Sequence, residues 1–241
     1  MGKNINYQFT VFGDFADISP NDPNVIIDLL KLYKENNYDF MPTTFKEIAI
    51  NTETVNRIAL LNEDGWKTSI GFNRIDVHMD YKKEKKYNEM NIDKISEEAI
   101  ILIDIILNKF NKKVNRIALN TIEILDKTES DCINAKYSEK GSIISFYENN
   151  KPYEWYERLV SKVTCDKLNN EEINVITDLS NFTGEISNGV DFEKVDGIIL
   201  KFDINTLPNN STHRFTSNDI KEFFADAKKY KSEIENNMKG K

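Results

Sequence analysis

The sequence predicts an α+β fold in which largely antiparallel sheets are each backed by a long helix. The first observation is a run of four apolar strand segments between residues 45 and 81 with no helix among them, which is typical of an antiparallel meander. The second is a pair of long amphipathic segments that begin near Asp93 and Ser217. Sheet followed by long helix occurs in each half, so we expect two tightly packed lobes, 1–128 and 129–241, or one domain with the same content.

The first half opens with a strand, because apolar and polar residues alternate over 5–11. Asp22 followed by Pro23 predicts a helix start, since aspartate caps a helix well and proline suits its first turn. Asn36 and Asn37 end this helix. Gly65 provides a tight turn within the meander. The predicted meander strands are 45–50, 55–61, 66–72 and 75–81.

The helix capped by Asp93 leads into a strand over 114–125, which completes the first half. The second half is predicted more loosely. The segment 155–168 could be helix or strand, and its β-branched residues favour a strand. Ser217 is expected to cap the last helix, and the polar tail from Glu233 is expected to fray. The remaining predicted strands are 143–147, 173–179 and 197–204.

One hexamer occurs twice. The run Val-Asn-Arg-Ile-Ala-Leu covers 55–60 and again 114–119. Two strands that meet the same sheet environment would explain it, as would chance or an internal duplication. A looser duplication of sheet followed by helix is also compatible with the pattern.

Composition narrows the class of protein. The chain has 241 residues, a formal net charge of −8 and 39% hydrophobic residues, which suffices for a folded core. An acidic protein is a poor match to DNA or RNA, since affinity there comes from neutralising phosphates. Cys132 and Cys165 are too few for a disulfide framework. No signal peptide or membrane-spanning run is visible, so we expect a cytoplasmic protein that does not bind membranes.

A polar triplet lies on one predicted strand. Asp76, His78 and Asp80 occupy alternate positions, so their side chains should share one face, with Arg74 before them. Carboxylates and an imidazole could bind a divalent metal or support acid–base chemistry. The alternative is a solvated polar face, because side chains spaced about 7 Å apart do not converge on one ion unaided.

Three further groups are candidates for binding. His213 and Arg214 in a polar loop could bind an anionic ligand, or could be surface residues. A lysine cluster could contact single-stranded nucleic acid, or could be a solvated loop; its members are Lys82, Lys83, Lys85 and Lys86. A cysteine–histidine nucleophile pair is conceivable in space but has no local support. The glycine-rich phosphate-binding and serine-hydrolase motifs are absent, so we assign no catalytic residue and no cofactor.

Two stretches resemble a sporadically distributed family of uncharacterised bacterial proteins. The first is RIALLNEDGW over 57–66 with the strand RIDV over 74–77, and the second is FDIN over 202–205 with SNDIKEF over 217–223. The chain has Met79-Asp80-Tyr81 where the family pattern has Asn-Trp. The resemblance implies a two-lobed α+β protein with no assigned chemistry. The patchy distribution of that family is similar to that of mobile or phage-defence genes.

These observations favour a non-enzymatic protein that binds another protein, as an accessory, inhibitor or sensor in a bacterial conflict system. The alternatives are a small-ligand or nucleotide-sensing module, and a metal-assisted hydrolase or nuclease that uses the triplet of Asp76, His78 and Asp80. The oligomeric state and the identity of the partner are left open by the sequence.

Overall fold

The part of the chain that the structure describes folds around one nine-stranded antiparallel sheet. The structure is a computed structural model that describes residues 3–48, 53–80, 91–140, 150, 154–187 and 192–239. The strands are β1 (Lys3–Phe12), β2 (Met41–Ile48), β3 (Thr54–Leu61), β4 (Trp66–Ile70), β5 (Arg74–Asp80), β6 (Arg116–Ile124), β7 (Tyr156–Cys165), β8 (Glu171–Ser187) and β9 (Phe192–Thr206). The helices are α1 (Pro23–Glu35), α2 (Ile92–Lys109), α3 (Lys127–Lys140) and α4 (Ser217–Lys239).

The strand order is β2-β3-β4-β5-β1-β6-β9-β8-β7, so β1 is the central strand and β6 lies beside it. Gln8 on β1 stands opposite Asn120 on β6, and each meander extends outward from this pair. The expected α+β class with antiparallel strands is therefore confirmed. The separate sheets that were expected are not found, because the strands described form one sheet, and a boundary at residue 128 stays a prediction.

The helices pack on one face of the sheet. On this face the ring of Phe9 in β1 meets the ring of Phe224 in α4 edge-on, with centroids 5.1 Å apart. The hydroxyl of Tyr33 in α1 donates to the carbonyl of Leu102 in α2 at 3.0 Å, which ties the two helices together. The predicted apolar stripe of α2 is confirmed, since its members are buried. They include Ile95, Ala99, Ile103, Ile106 and Leu107.

The helix caps differ in detail from the predictions. Asp22 caps α1 as expected. The cap of α2 is Asn91 and not Asp93, because the Asn91 side chain accepts a hydrogen bond from the Asp93 amide at 2.7 Å. At α4 the cap is Thr216 and not Ser217. Thr216 and Asp219 form a reciprocal capping box, in which the Asp219 carboxylate accepts from the Thr216 amide at 2.8 Å.

The C-terminal half differs most from the prediction. Helix α4 continues to Lys239, so the fraying expected from Glu233 is wrong; Ile234 and Met238 pack against the core. Helix α3 had no sequence prediction, because its residues are mostly polar. Strand β7 confirms the choice of strand over helix for most of 155–168, while Asp166–Leu168 form a short 3-10 helix. The predicted strand 143–147 lies outside the described residues.

The repeated hexamer lies on β3 and β6, where it meets similar surroundings. Arg57 stacks over the ring of Phe72 at 4.6 Å, and Arg116 stacks over the ring of Phe12 at 4.8 Å. Strand β3 is second from one edge of the sheet, whereas β6 lies next to the central strand β1. The two copies therefore occupy non-equivalent positions, which favours a shared environment over duplication of the hexamer.

Candidate functional site

The face of the sheet opposite the helices, which we call the polar face, is centred on Asp76. This carboxylate is 5% exposed. It accepts hydrogen bonds from Gln8 Nε2 at 2.9 Å and from Thr10 Oγ1 at 2.7 Å, and it pairs with Arg74 Nε at 2.9 Å. Asp76 is thus a buried charge with its acceptor capacity largely used, as burial requires.

His78 and Asp80 follow Asp76 on the same face of β5, as their spacing predicts. Burial lowers the pKa of His78 below its usual value, although the nearby carboxylates of Asp76 and Asp80 act in the opposite direction. The imidazole is therefore mostly neutral near pH 7. Asp80 is exposed and accepts a hydrogen bond from Asn6 Nδ2 at 2.6 Å.

The metal hypothesis for Asp76, His78 and Asp80 gains no support from this geometry. Over the described ranges, no three His, Cys, Asp or Glu side chains are grouped so that they could hold a metal ion. The Asp76 carboxylate is held by Gln8, Thr10 and Arg74, whereas that of Asp80 is held by Asn6. The hydrolase hypothesis that depends on the metal stays a prediction. The alternative of a solvated face is also incomplete, because Asp76 is buried.

The polar face continues across β6 and β9, where polar side chains also form hydrogen bonds with one another. Asn205 is 2% exposed and accepts from Arg116 at 3.0 Å, while its amide donates to Asp203 at 2.7 Å. The side chains at the middle of this face are therefore largely satisfied by one another. This arrangement stabilises a sheet face that carries no helix among the described residues.

The guanidinium of Arg214, which was expected to bind an anion together with His213, contacts groups of the protein itself. The Arg214 guanidinium forms a two-point salt bridge with Glu171, with hydrogen bonds of 3.2 Å from Nε and 2.5 Å from one terminal nitrogen. Its other terminal nitrogen donates to three backbone carbonyls, among them that of Asn115 at 2.7 Å. Arg214 therefore fastens the loop, while His213 is exposed. Anion binding by this pair stays a prediction.

The thiols offer no activated nucleophile in the described structure. Cys165 is buried and donates to Asp226 of α4 at 3.0 Å, and its pKa is raised to about 11, mainly by desolvation. It lies on the helix side of the sheet, whereas His78 lies on the polar face. Cys132 is exposed. The lysine cluster of Lys82, Lys83, Lys85 and Lys86 lies outside the described residues.

A feature that the sequence did not predict is an apolar groove of about 840 Å³ on the helix side of the sheet. It lies between the edge strand β7 with its neighbour β8 and the last turns of α4, with Ile133 of α3 beside it. Apolar side chains make up most of its walls. They include Leu159, Val163, Val175, Leu179, Ile234 and Met238.

The groove exists because α4 covers the sheet unevenly. Phe223, Phe224 and Ala227, near the start of α4, are fully buried. Further along, Ile234 and Met238 are only partly buried, and Leu159 on the edge strand is left 54% exposed. The signal for this site was present in the sequence as the spacing of Tyr230, Ile234 and Met238, which continues the apolar face of the helix.

Comparison of the chain with protein-family models, with curated proteins and with solved structures finds no match. Among the helices that the structure describes, none is long and apolar enough to cross a bilayer.

Proposed function

We propose that this protein binds another protein by taking an apolar segment of that partner into the groove. The observation that carries the proposal is the apolar wall left open to solvent, with Leu159 at its edge. Full burial of a leucine side chain contributes about 1.5–3 kcal/mol, so covering a half-exposed Leu159 contributes about 1 kcal/mol. Burial of other wall residues would add to this binding free energy.

The groove also bears on the alternative hypothesis that the protein binds a small ligand or a nucleotide. A cavity of 840 Å³ falls within the size range of small-molecule pockets. Its charged wall residues, Glu157 and Glu233, are both acidic and would repel phosphates. A nucleotide is therefore a poor occupant, and an apolar segment of a protein fits the wall better.

A role as an accessory, inhibitor or sensor in a bacterial defence system is part of this proposal. It is supported by the family resemblance of the two sequence stretches and by the lack of recognisable catalytic motifs. Each of the three roles needs a protein-binding surface but no reaction centre.

The test compares two neighbouring positions on β7. Leu159 lines the groove, whereas Val160, 57% exposed, points to the polar face. Peptides are selected on the immobilised protein from a display library of random twelve-residue sequences, and the affinity of the best binders is measured by calorimetry. Leu159→Glu should weaken binding by about tenfold or more, which corresponds to about 1.4 kcal/mol.

Val160→Glu is the matched control, because it places the same charge on the same strand at similar exposure. It should leave affinity within about twofold of the unmodified protein. Equal losses in the two variants, or a library that yields no binder, would contradict the proposed function.

A further inference from the structure

We infer that the segment bound in the groove is an added β-strand that pairs antiparallel with β7 and places a lysine or arginine opposite Glu157. This inference rests on the proposed function and names the class of partner: an extended segment with apolar side chains and a basic residue. Its parts are the exposed edge of β7, the alternation of wall residues and the charge of the wall.

The edge of β7 is suited to strand addition. Among the strands that the structure describes, it is the last on one side of the sheet, and it spans ten residues, or about 33 Å. An edge strand presents unpaired backbone groups that can bind another extended chain. The opposite edge, β2, contains Pro42, which lacks an amide hydrogen, whereas β7 contains no proline.

The wall of the groove repeats at the spacing of a strand. Every second residue of β7 lines it, namely Glu157, Leu159, Ser161 and Val163. A strand paired with β7 would direct every second side chain to the same side, with a repeat of about 6.8 Å. Its alternate side chains would therefore extend the apolar wall, as a neighbouring strand does in any sheet.

The charge of the wall selects a basic occupant. Glu157 and Glu233 are the charged wall residues, and neither forms a salt bridge within the part of the chain that the structure describes. An opposite charge directly across a strand pair is favourable, and a like charge is unfavourable. A cation in the added strand next to Glu157 therefore matches the site, whereas a carboxylate does not.

These constraints define a sequence pattern. Neighbouring strands throughout the sheet are antiparallel, so the added strand is expected to follow the same rule. Read from its N-terminus, it has an apolar residue opposite Val163 and another four residues later opposite Leu159. A lysine or arginine follows two residues further, opposite Glu157.

The experiment uses the full chain and the same random twelve-residue library. The recovered peptides should be enriched in apolar residues four apart followed two residues later by lysine or arginine. Selection on Glu157→Lys should exchange the basic position for aspartate or glutamate. Glu97→Lys, an exposed position on α2, is the control for net charge and should leave the preference unchanged.

N-methylation of single peptide amides supplies a second measurement. Methylation at alternate positions should weaken binding at least tenfold, because those amides would donate to β7, while methylation at the intervening positions should not. Peptides whose apolar residues repeat at alternating spacings of three and four, as on one face of a helix, would overturn strand addition while leaving groove binding intact. Peptides whose binding is insensitive to N-methylation would do the same. Failure to recover any peptide would instead refute the proposed function itself.

Discussion

Replacement of Arg57 by alanine should destabilise the protein strongly. The Arg57 side chain is 1% exposed. Its guanidinium donates to the carbonyls of Phe15 at 2.6 Å, Ala16 at 3.1 Å and Gly71 at 2.9 Å. These bonds join the loop after β1 to the turn between β4 and β5.

Alanine at position 57 would leave these carbonyls without their donor and would open a cavity beside Phe72. Hydrogen bonds that involve a charged group contribute about 1.5–3 kcal/mol each, but losses within one cluster do not add fully. The guanidinium also pairs with the Glu47 carboxylate at 3.8 Å, and removal of one partner of a buried ion pair commonly costs about 3–5 kcal/mol. We expect Arg57→Ala to lower the free energy of unfolding by this amount, against a total of about 5–15 kcal/mol for a typical protein.

Arg116 is the matched control, because it occupies the same place in the repeated hexamer. It also stacks on a phenylalanine, but it is only partly buried and bonds to two acceptors, Thr206 and Asn205. Arg116→Ala should therefore cost about 1–2 kcal/mol. Urea unfolding with an unchanged m value is the assay. If Arg57→Ala proves no more destabilising than Arg116→Ala, the reasoning about the buried guanidinium is refuted.

Two further predictions concern titratable groups. The native pKa of His78 is lowered, so the unfolded chain takes up a proton first as the pH falls, and the native state loses stability below about pH 6.5. The stability advantage of the unmodified protein over His78→Gln, measured by urea unfolding, should therefore shrink between pH 8 and pH 5; a constant difference would contradict this. In the native protein at pH 8, a thiol reagent should modify the exposed Cys132 quickly and Cys165 only on unfolding, since burial and Asp226 raise the pKa of Cys165 to about 11. Cys132→Ser should then abolish the fast phase, and a fast phase that persists would show Cys165 to be accessible.

Much of the sheet could be predicted from the sequence, because its strands carry local signals. The alternation around Tyr7 and Phe9, the turn at Gly65 and the cap at Asp22 each depend on residues within a few positions of one another. These signals determine where an element lies, but they do not determine which strands become neighbours. The pairing of β6 with β9, which merges the expected lobes into one sheet, joins segments that lie 75 to 87 residues apart in the sequence.

The candidate site was beyond local reasoning for a related physical reason. The groove depends on how far α4 extends over the sheet, and α4 was expected to fray after Glu233 because its surface there is polar. The contacts of Ile234 and Met238 with the core offset that polarity. Similarly, the sequence placed Asp76 on the correct face of its strand, but the burial of Asp76 depends on Gln8 and Thr10, which are far away in the sequence and lie on the neighbouring strand β1.

The central position of β1 has a consequence for synthesis of the chain. Once β5 has left the ribosome, β1 can pair with it and complete the first meander. The other edge of β1 stays unpaired until β6 has been made, and β6 follows α2 in the sequence. During that interval the nascent chain presents an open strand edge of about ten residues to other nascent chains on the same messenger RNA. Open strand edges of two chains can pair wrongly with each other. Slow translation between β5 and β6 should therefore lower the yield of native protein, and deletion of the first twelve residues should divide the sheet into two separate pieces.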